Sequence, residues 1–120
     1  MKDRRRAERH GHWAEAAALC FLRLKGYRLL ARRYKTALGE IDLVMRRGRV
    51  TAFVEVKARG TTDDALFAVT SAQARRISGA AELWLARDPR AATGECRFDI
   101  VAVSPYLWPT HVPNAFSGVR

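Results

Sequence analysis

The sequence predicts an α/β domain in which helices flank a mixed central sheet, with elements in the order αβββαβ. Three observations carry that prediction. Residues 39–59, GEIDLVMRRGRVTAFVEVKAR, alternate apolar and polar side chains on either side of Arg46-Arg47-Gly48-Arg49, as the two arms of a β-hairpin do. Residues 7–25 and 71–87 repeat apolar side chains at helical spacing. A further apolar run at 97–103 has no polar face, as expected of a strand covered on both sides. At 120 residues and 48% hydrophobic composition the chain fits a single domain spanning 1–120, with a basic segment at 1–10 and an irregular segment at 104–120.

The first helix is expected from Ala7 to Lys25, stopped by Gly26. Trp13, Ala17, Cys20 and Leu24 form its predicted inward stripe, widened by Ala18, Leu19 and Leu22. Glu15 falls on the face of Ala18, Leu19 and Leu22, where an unpaired carboxylate is costly to bury, so it needs a partner. Tyr27–Lys35 reads as a strand leading into the hairpin, with Arg28, Arg32 and Arg33 available to phosphates.

Gly48-Arg49 suits a two-residue hairpin turn with glycine first. That turn pairs Arg47 with Val50, and counting back sets Asp42 opposite Glu55 and Glu40 opposite Lys57 on one face, which Val44 and Phe53 share. A register slip of two residues leaves this face unchanged. Gly60–Asp64 reads as a connector. Ser71 is the expected N-cap of the second helix, which ends at Arg87 before Asp88-Pro89. Ala74, Ile77, Ala81 and Trp84 face inward, Arg75 and Arg76 lie nearer solvent, and Gln73 sits in the first turn. Asp99 in the last strand suits a buried structural partner of an arginine such as Arg97. His111 suits packing or surface, since no serine or cysteine nucleophile accompanies it.

The net charge is +10, and 18 of the 22 basic residues are arginine. That surplus points to a polyanionic partner, because guanidinium groups pair bidentately with phosphate and release its counterions. Cys20 and Cys96 stand apart, with no metal-binding spacing, and are expected as buried thiols in a reducing compartment. The apolar run Ala16–Leu22 is preceded by Glu15 and followed by Arg23 and Lys25, unlike a secretory signal. No run approaches the roughly 18 apolar residues of a membrane span. A cytoplasmic protein without a membrane partner is therefore expected.

The charges on the hairpin face admit two readings. Opposed carboxylates repel unless something neutralises them, and Mg²⁺ is commonly held by one or two carboxylates together with phosphate and water. Lys57, two residues beyond Glu55 on the same face, is placed to reach a phosphate oxygen or an attacking water. In the other reading these are the solvated charges of a half-covered sheet.

The motifs GEIDLV, FVEVKAR, RFDIV at 97–101 and NAF at 114–116 resemble the YraN-like family of small bacterial proteins. That family in turn resembles the PD-(D/E)XK nucleases, particularly the archaeal Holliday junction resolvases. The resemblance implies a restriction-endonuclease-like core forming one nuclease-like domain, with Asp42, Glu55, Lys57, Glu15 and Gln73 as catalytic residues. Asp42, Glu55 and Glu15 would be the ligands of Mg²⁺ or Mn²⁺, and Glu40 would stand behind them. Glu15 would come from a G-x-x-G-E-x-x-A pattern in which this chain has Gly11, Ala14, Glu15 and Ala18, and Gln73 would stand where the family usually has lysine. For Glu15 the competing role is a partner of an arginine, and for Gln73 a polar first-turn residue. Arg32, Arg33, Arg59, Arg75 and Arg76 are the expected nucleic-acid contacts. The function so implied is hydrolysis of phosphodiester bonds in DNA rather than RNA, with branched or junction DNA among the substrates and a homodimer admitted. The alternative is a nucleic-acid-binding module with the same fold and no turnover.

Overall fold

A computed structural model describes residues 2–105 and 107–117, with the side chains of residues 2–11 outside the description. The basic segment predicted at 1–10, and Gly11 of the helix pattern, thus lie outside the described side chains. The elements are α1 (Lys2–Leu24), β1 (Arg28–Lys35), β2 (Glu40–Arg47), β3 (Val50–Ala58), α2 (Thr62–Phe67), α3 (Ser71–Arg87), α4 (Pro89–Thr93), β4 (Glu95–Val103) and β5 (Thr110–Val112). The sheet is mixed and five-stranded, in the order β1-β2-β3-β4-β5. Only the β3–β4 pair is parallel, which is why helical crossovers separate those two strands.

The hairpin has the predicted turn. Gly48 takes φ +60° and Arg47 pairs with Val50, so Arg46 meets Thr51, Val44 meets Phe53 and Leu43 meets Val54. Consecutive residues of a strand face opposite ways, so this register divides the core in two. Leu43, Met45, Ala52, Val54, Val101 and Val103 pack against Ala14, Ala18, Leu19 and Leu22 of α1. Val44 and Phe53, on the other face, pack against Ile77, Ala80, Ala81 and Trp84 of α3.

Five expectations are corrected. The stripe of Trp13, Cys20 and Leu24 points outward, because Ala14, Ala18, Leu19 and Leu22 carry the smaller and more continuous apolar face that fits the sheet. Cys20 is exposed in consequence, and Cys96 is exposed near the start of β4, so neither is a buried thiol. The connector at 60–64 contains the start of α2, whose N-cap Thr61 accepts from the Asp64 amide. The segment after 104 contains β5, in which the β-branched Thr110 and Val112 pair with Ala102 and Ile100. At α3 the cap is Thr70, which accepts from the Gln73 amide, and Ser71 is the first helical residue. Gly26, at φ +93°, ends α1 as expected, with the Tyr27 amide donating to the Leu22 carbonyl.

A glycine decides how closely β2 approaches α3. A Cβ added at Gly39 would lie 2.0 Å from the carbonyl oxygen of Arg76, so this backbone contact exists only without a side chain. Thr36 fixes the approach, its Oγ1 accepting from the Leu38 and Gly39 amides while donating to the Gly39 carbonyl. We expect Gly39→Ala to destabilise the domain by roughly 1–3 kcal/mol or more, as overpacking does. Urea denaturation checks this, and an unchanged midpoint would show that the contact is not obligatory.

Candidate functional site

The β2–β3 ladder stops at Leu43–Val54, one residue short of the pair that the register would next bring together, Asp42 and Glu55. There the Asp42 side chain replaces the strand backbone, its Oδ2 accepting from the Val56 amide at 2.8 Å. The strands part at this point, and the first turns of α3 roof the gap. The resulting cleft, of about 270 Å³, is lined by Glu40, Asp42, Glu55, Gln73, Arg76 and Ile77. Beside it Lys57 Nζ donates to Gln73 Oε1 at 3.2 Å.

Glu55 is only 7% exposed. Burial, then a hydrogen bond to Asp42 and the charge of Asp42, with a smaller push from Glu40, raise its carboxyl to about 10 against the opposing pull of Lys57. Two carboxyl groups sharing one site behave this way, one keeping its proton so that the other can carry the charge. A Glu55 that keeps its proton can donate it in that hydrogen bond to Asp42. A cation entering between them would replace that proton.

The structure brings together Asp42, Glu55, Glu40, Lys57 and Gln73, and with them Arg76, one of the expected nucleic-acid contacts, six of the residues singled out from the sequence. It does not bring Glu15 to the cleft lining. Glu15 approaches from α1, on the other face of the sheet, where Arg32 Nε donates to its Oε1 at 2.9 Å and Arg33 Nε lies 3.1 Å away. Arg33 Nε makes no aligned hydrogen bond, and Arg33 has φ +50°, so the second contact is an ion pair without hydrogen-bond geometry. The partner that Glu15 needed is this arginine pair, and Arg32 and Arg33 are correspondingly less available to phosphates than expected. Arg59 and Arg75 are exposed, at the end of β3 and on α3. Among the described residues no group of three or more His, Cys, Asp or Glu side chains is placed to hold a metal ion, so the cleft offers a pair of carboxylates.

Asp99 is fully buried, as expected, but has more partners than Arg97 alone. Arg97 donates to both of its oxygens, His111 Nε2 lies 2.8 Å from Oδ2, and the Asn114 amide donates to Oδ1. His111 is thereby a buried hydrogen-bonding residue, with Lys25 on its other nitrogen. No local pattern announces this, since the partners come from α1, β4, β5 and the segment after β5. Among the described residues no helix is long and apolar enough to cross a membrane.

The model of a family described as "Uncharacterised protein family UPF0102" matches residues 14–103, which include all of the cleft residues. The chain is 54% identical over 115 residues to a UPF0102 protein of Chelativorans sp. (strain BNC1), with 96% of this chain and 93% of that one covered. It is 55% identical over 114 residues to one from Methylorubrum extorquens (strain PA1), covering 93% and 89%. A UPF0102 protein of Rhizobium meliloti (strain 1021) is 52% identical over 111 residues, covering 92% and 91%.

The raised Glu55 carboxyl sets a sign for stability against pH. The folded chain holds a proton that the unfolded chain releases above the ordinary value of 4.5, so this group makes stability fall as pH rises between 4.5 and about 10. The slope from one such group reaches about 1.4 kcal/mol per pH unit. Glu55→Gln keeps the shape and has no proton to lose. It should flatten the decline and stabilise the domain on the alkaline side, as read by urea denaturation across the window. Parallel curves for parent and variant would mean that Glu55 is ionised in the native state.

Proposed function

Since the chain belongs to the UPF0102 family, the YraN-like family whose motifs it carries, we propose that it is a metal-dependent endonuclease of the PD-(D/E)XK type, a cytoplasmic protein hydrolysing phosphodiester bonds of DNA. Branched or junction DNA falls within the substrate range, and the restriction-endonuclease-like core is part of the same reading. The observation that carries it is the meeting of Asp42 and Glu55 in one cleft, with Lys57 and Gln73 at its side.

The donor set suits Mg²⁺ or Mn²⁺. Two carboxylate donors suffice for Mg²⁺ when phosphate and water supply its other ligands, and the pair of half-buried Asp42 and buried Glu55 is what a bound cation would stabilise. When bound, the metal would polarise a phosphoryl oxygen and make a bound water more acidic. The chain's own groups do the positioning. The Val56 amide holds Asp42 by Oδ2, and Asp42 also hydrogen-bonds Glu55. Gln73 holds Lys57 by one donated hydrogen, leaving two N–H groups for a phosphate oxygen or the attacking water. Arg76, exposed at the cleft wall, suits a neighbouring phosphate.

A binding module without turnover is favoured by one observation, that Glu15 is taken up by Arg32 and Arg33 rather than joining the acid pair. A cleavage panel with Mg²⁺ and Mn²⁺ on duplex, single-stranded and four-way-junction DNA separates the two. Cleavage of any of the three supports the enzyme, and binding to all without cleavage supports the module. Lys57→Ala should lower cleavage by roughly 10²- to 10³-fold, the scale of one lost charge-stabilising donor, while calorimetry shows metal affinity largely kept. Asp42→Asn should weaken both. If its metal affinity matches the parent's, Asp42 is a structural acid.

A further inference from the structure

We propose that a groove at the C-terminal end of β3 and β4 binds an unpaired nucleotide of the DNA, its base stacked on Trp108 and its phosphate on Arg59. This deepens the nuclease reading and rests on it for the identity of the polymer. The groove, of about 170 Å³, is lined among others by Arg59, Thr61, Thr62, Ser104, Leu107 and Trp108.

Its position follows from the sheet register. Lys57 pairs with Ala102, and Ala102 pairs with Thr110, so the three form one row across β3, β4 and β5. Ala102 and Thr110 line the groove, while Lys57 stands beside the carboxylate cleft. Neighbouring strands lie about 4.8 Å apart, which puts the groove within about 10 Å of Lys57. The groove is also at the carboxyl ends of parallel strands, where open α/β sheets take their ligands.

Its chemistry suits one occupant. Trp108 is 77% exposed and Leu107 68%, an unusual outlay of apolar surface for a loop. Phe21 of α1 braces Trp108, with ring centroids 6.4 Å apart, leaving indole surface open to solvent. Arg59, exposed and without an ion pair among the described residues, supplies positive charge, and the hydroxyls of Thr61, Thr62 and Ser104 supply donors. No carboxylate lines the groove, and Asp63 and Asp64 of α2 lie outside its lining. An aromatic platform beside an arginine binds single strands by stacking, because every base has a π-face, and a base held in a duplex cannot reach it. An apolar peptide would leave Arg59 unanswered, and an anion alone would leave Trp108 unused.

The test measures binding in EDTA, where no cleavage occurs, using a fluorescent oligo(dT) single strand and a blunt duplex of equal length. Trp108→Ala should weaken the single strand by roughly 5- to 160-fold, the equivalent of one stacked base, and leave the duplex nearly unchanged. Trp108→Phe should keep most of the affinity, and Arg59→Ala should weaken the single strand and lessen its salt dependence. Equal single-strand affinity in parent and Trp108→Ala overturns the proposal, as does an equal loss on both DNAs. A change of sedimentation mass in Trp108→Ala without a binding change would make the groove a contact between copies, which also overturns it. If Trp108→Ala melts early, the comparison of Trp108→Phe with Arg59→Ala decides instead: loss in Arg59→Ala alone supports the groove, and no loss in either overturns it. Failure of the nuclease reading looks different, since Asp42→Asn would then leave metal binding unaltered while the Trp108 dependence in EDTA stood.

Discussion

The register of the β2–β3 hairpin is the constraint on which the rest depends. One glycine, at φ +60°, sets the turn, and from it every side chain of both strands is assigned to a face. A slip of β2 by one residue against β3 would send Leu43 and Met45 toward α3 and Asp42 into the apolar layer under α1. The cost of burying a carboxylate among Ala18, Leu19 and Leu22 exceeds any hairpin preference, so the core and the cleft enforce the same register. Gly39 adds the second half of the constraint by letting β2 touch the backbone of α3. Without that approach Gln73 and Arg76 would stand away from the acids.

The charge of the protein is distributed less simply than its sum suggests. Several arginines are structural: Arg46 pairs with Asp88, which also accepts from Trp84 and caps α4. Arg97 pairs with Asp99 and donates to the Tyr27 hydroxyl, and the guanidinium groups of Arg47 and Arg87 lie 4.5 Å from the ring centroids of Tyr27 and Trp84. The arginines left exposed include Arg59, Arg75, Arg76 and Arg90, and the proposed phosphate contacts would draw on these. The salt dependence of binding is governed by the phosphates actually neutralised. An arginine count overstates that number here.

What the sequence made legible was whatever local periodicity encodes. The hairpin, its turn, the acid pair and the length of α3 follow from alternation and end signals, Lys57 follows from the same face, and Gln73 follows only from the family resemblance. The rest depends on distant partners or on differences too small for a pattern. The face of α1 turned on whether Trp13 or Ala14 packs inward, and the structure buries Ala14 while Trp13 is 45% exposed. Glu15 needed a partner, but only the fold could choose between arginines and the acid pair. The three residues of β5 between Pro109 and Pro113 are too few to show a period, and His111 is buried only because that short strand closes over Asp99.

Two buried acids of one sheet show where function and structure separate. Burial alone would raise the carboxyl of Asp99, yet hydrogen bonds from His111, Arg97 and the Asn114 amide outweigh it and hold the group below its usual range. Its charge is fully answered by the protein, and nothing remains for a ligand to supply. Glu55 is buried too, at 7% exposed, but is answered chiefly by another acid, so its carboxyl rises to about 10. Folding could have relieved it at little cost by placing a base there, as it did at Asp99. An acid pair that opens into a cleft is instead what the proposed cation site calls for, because the missing interaction is the one such a ligand would bring. The asymmetry between these two acids, rather than the presence of either, is why the functional assignment falls on β2 and β3.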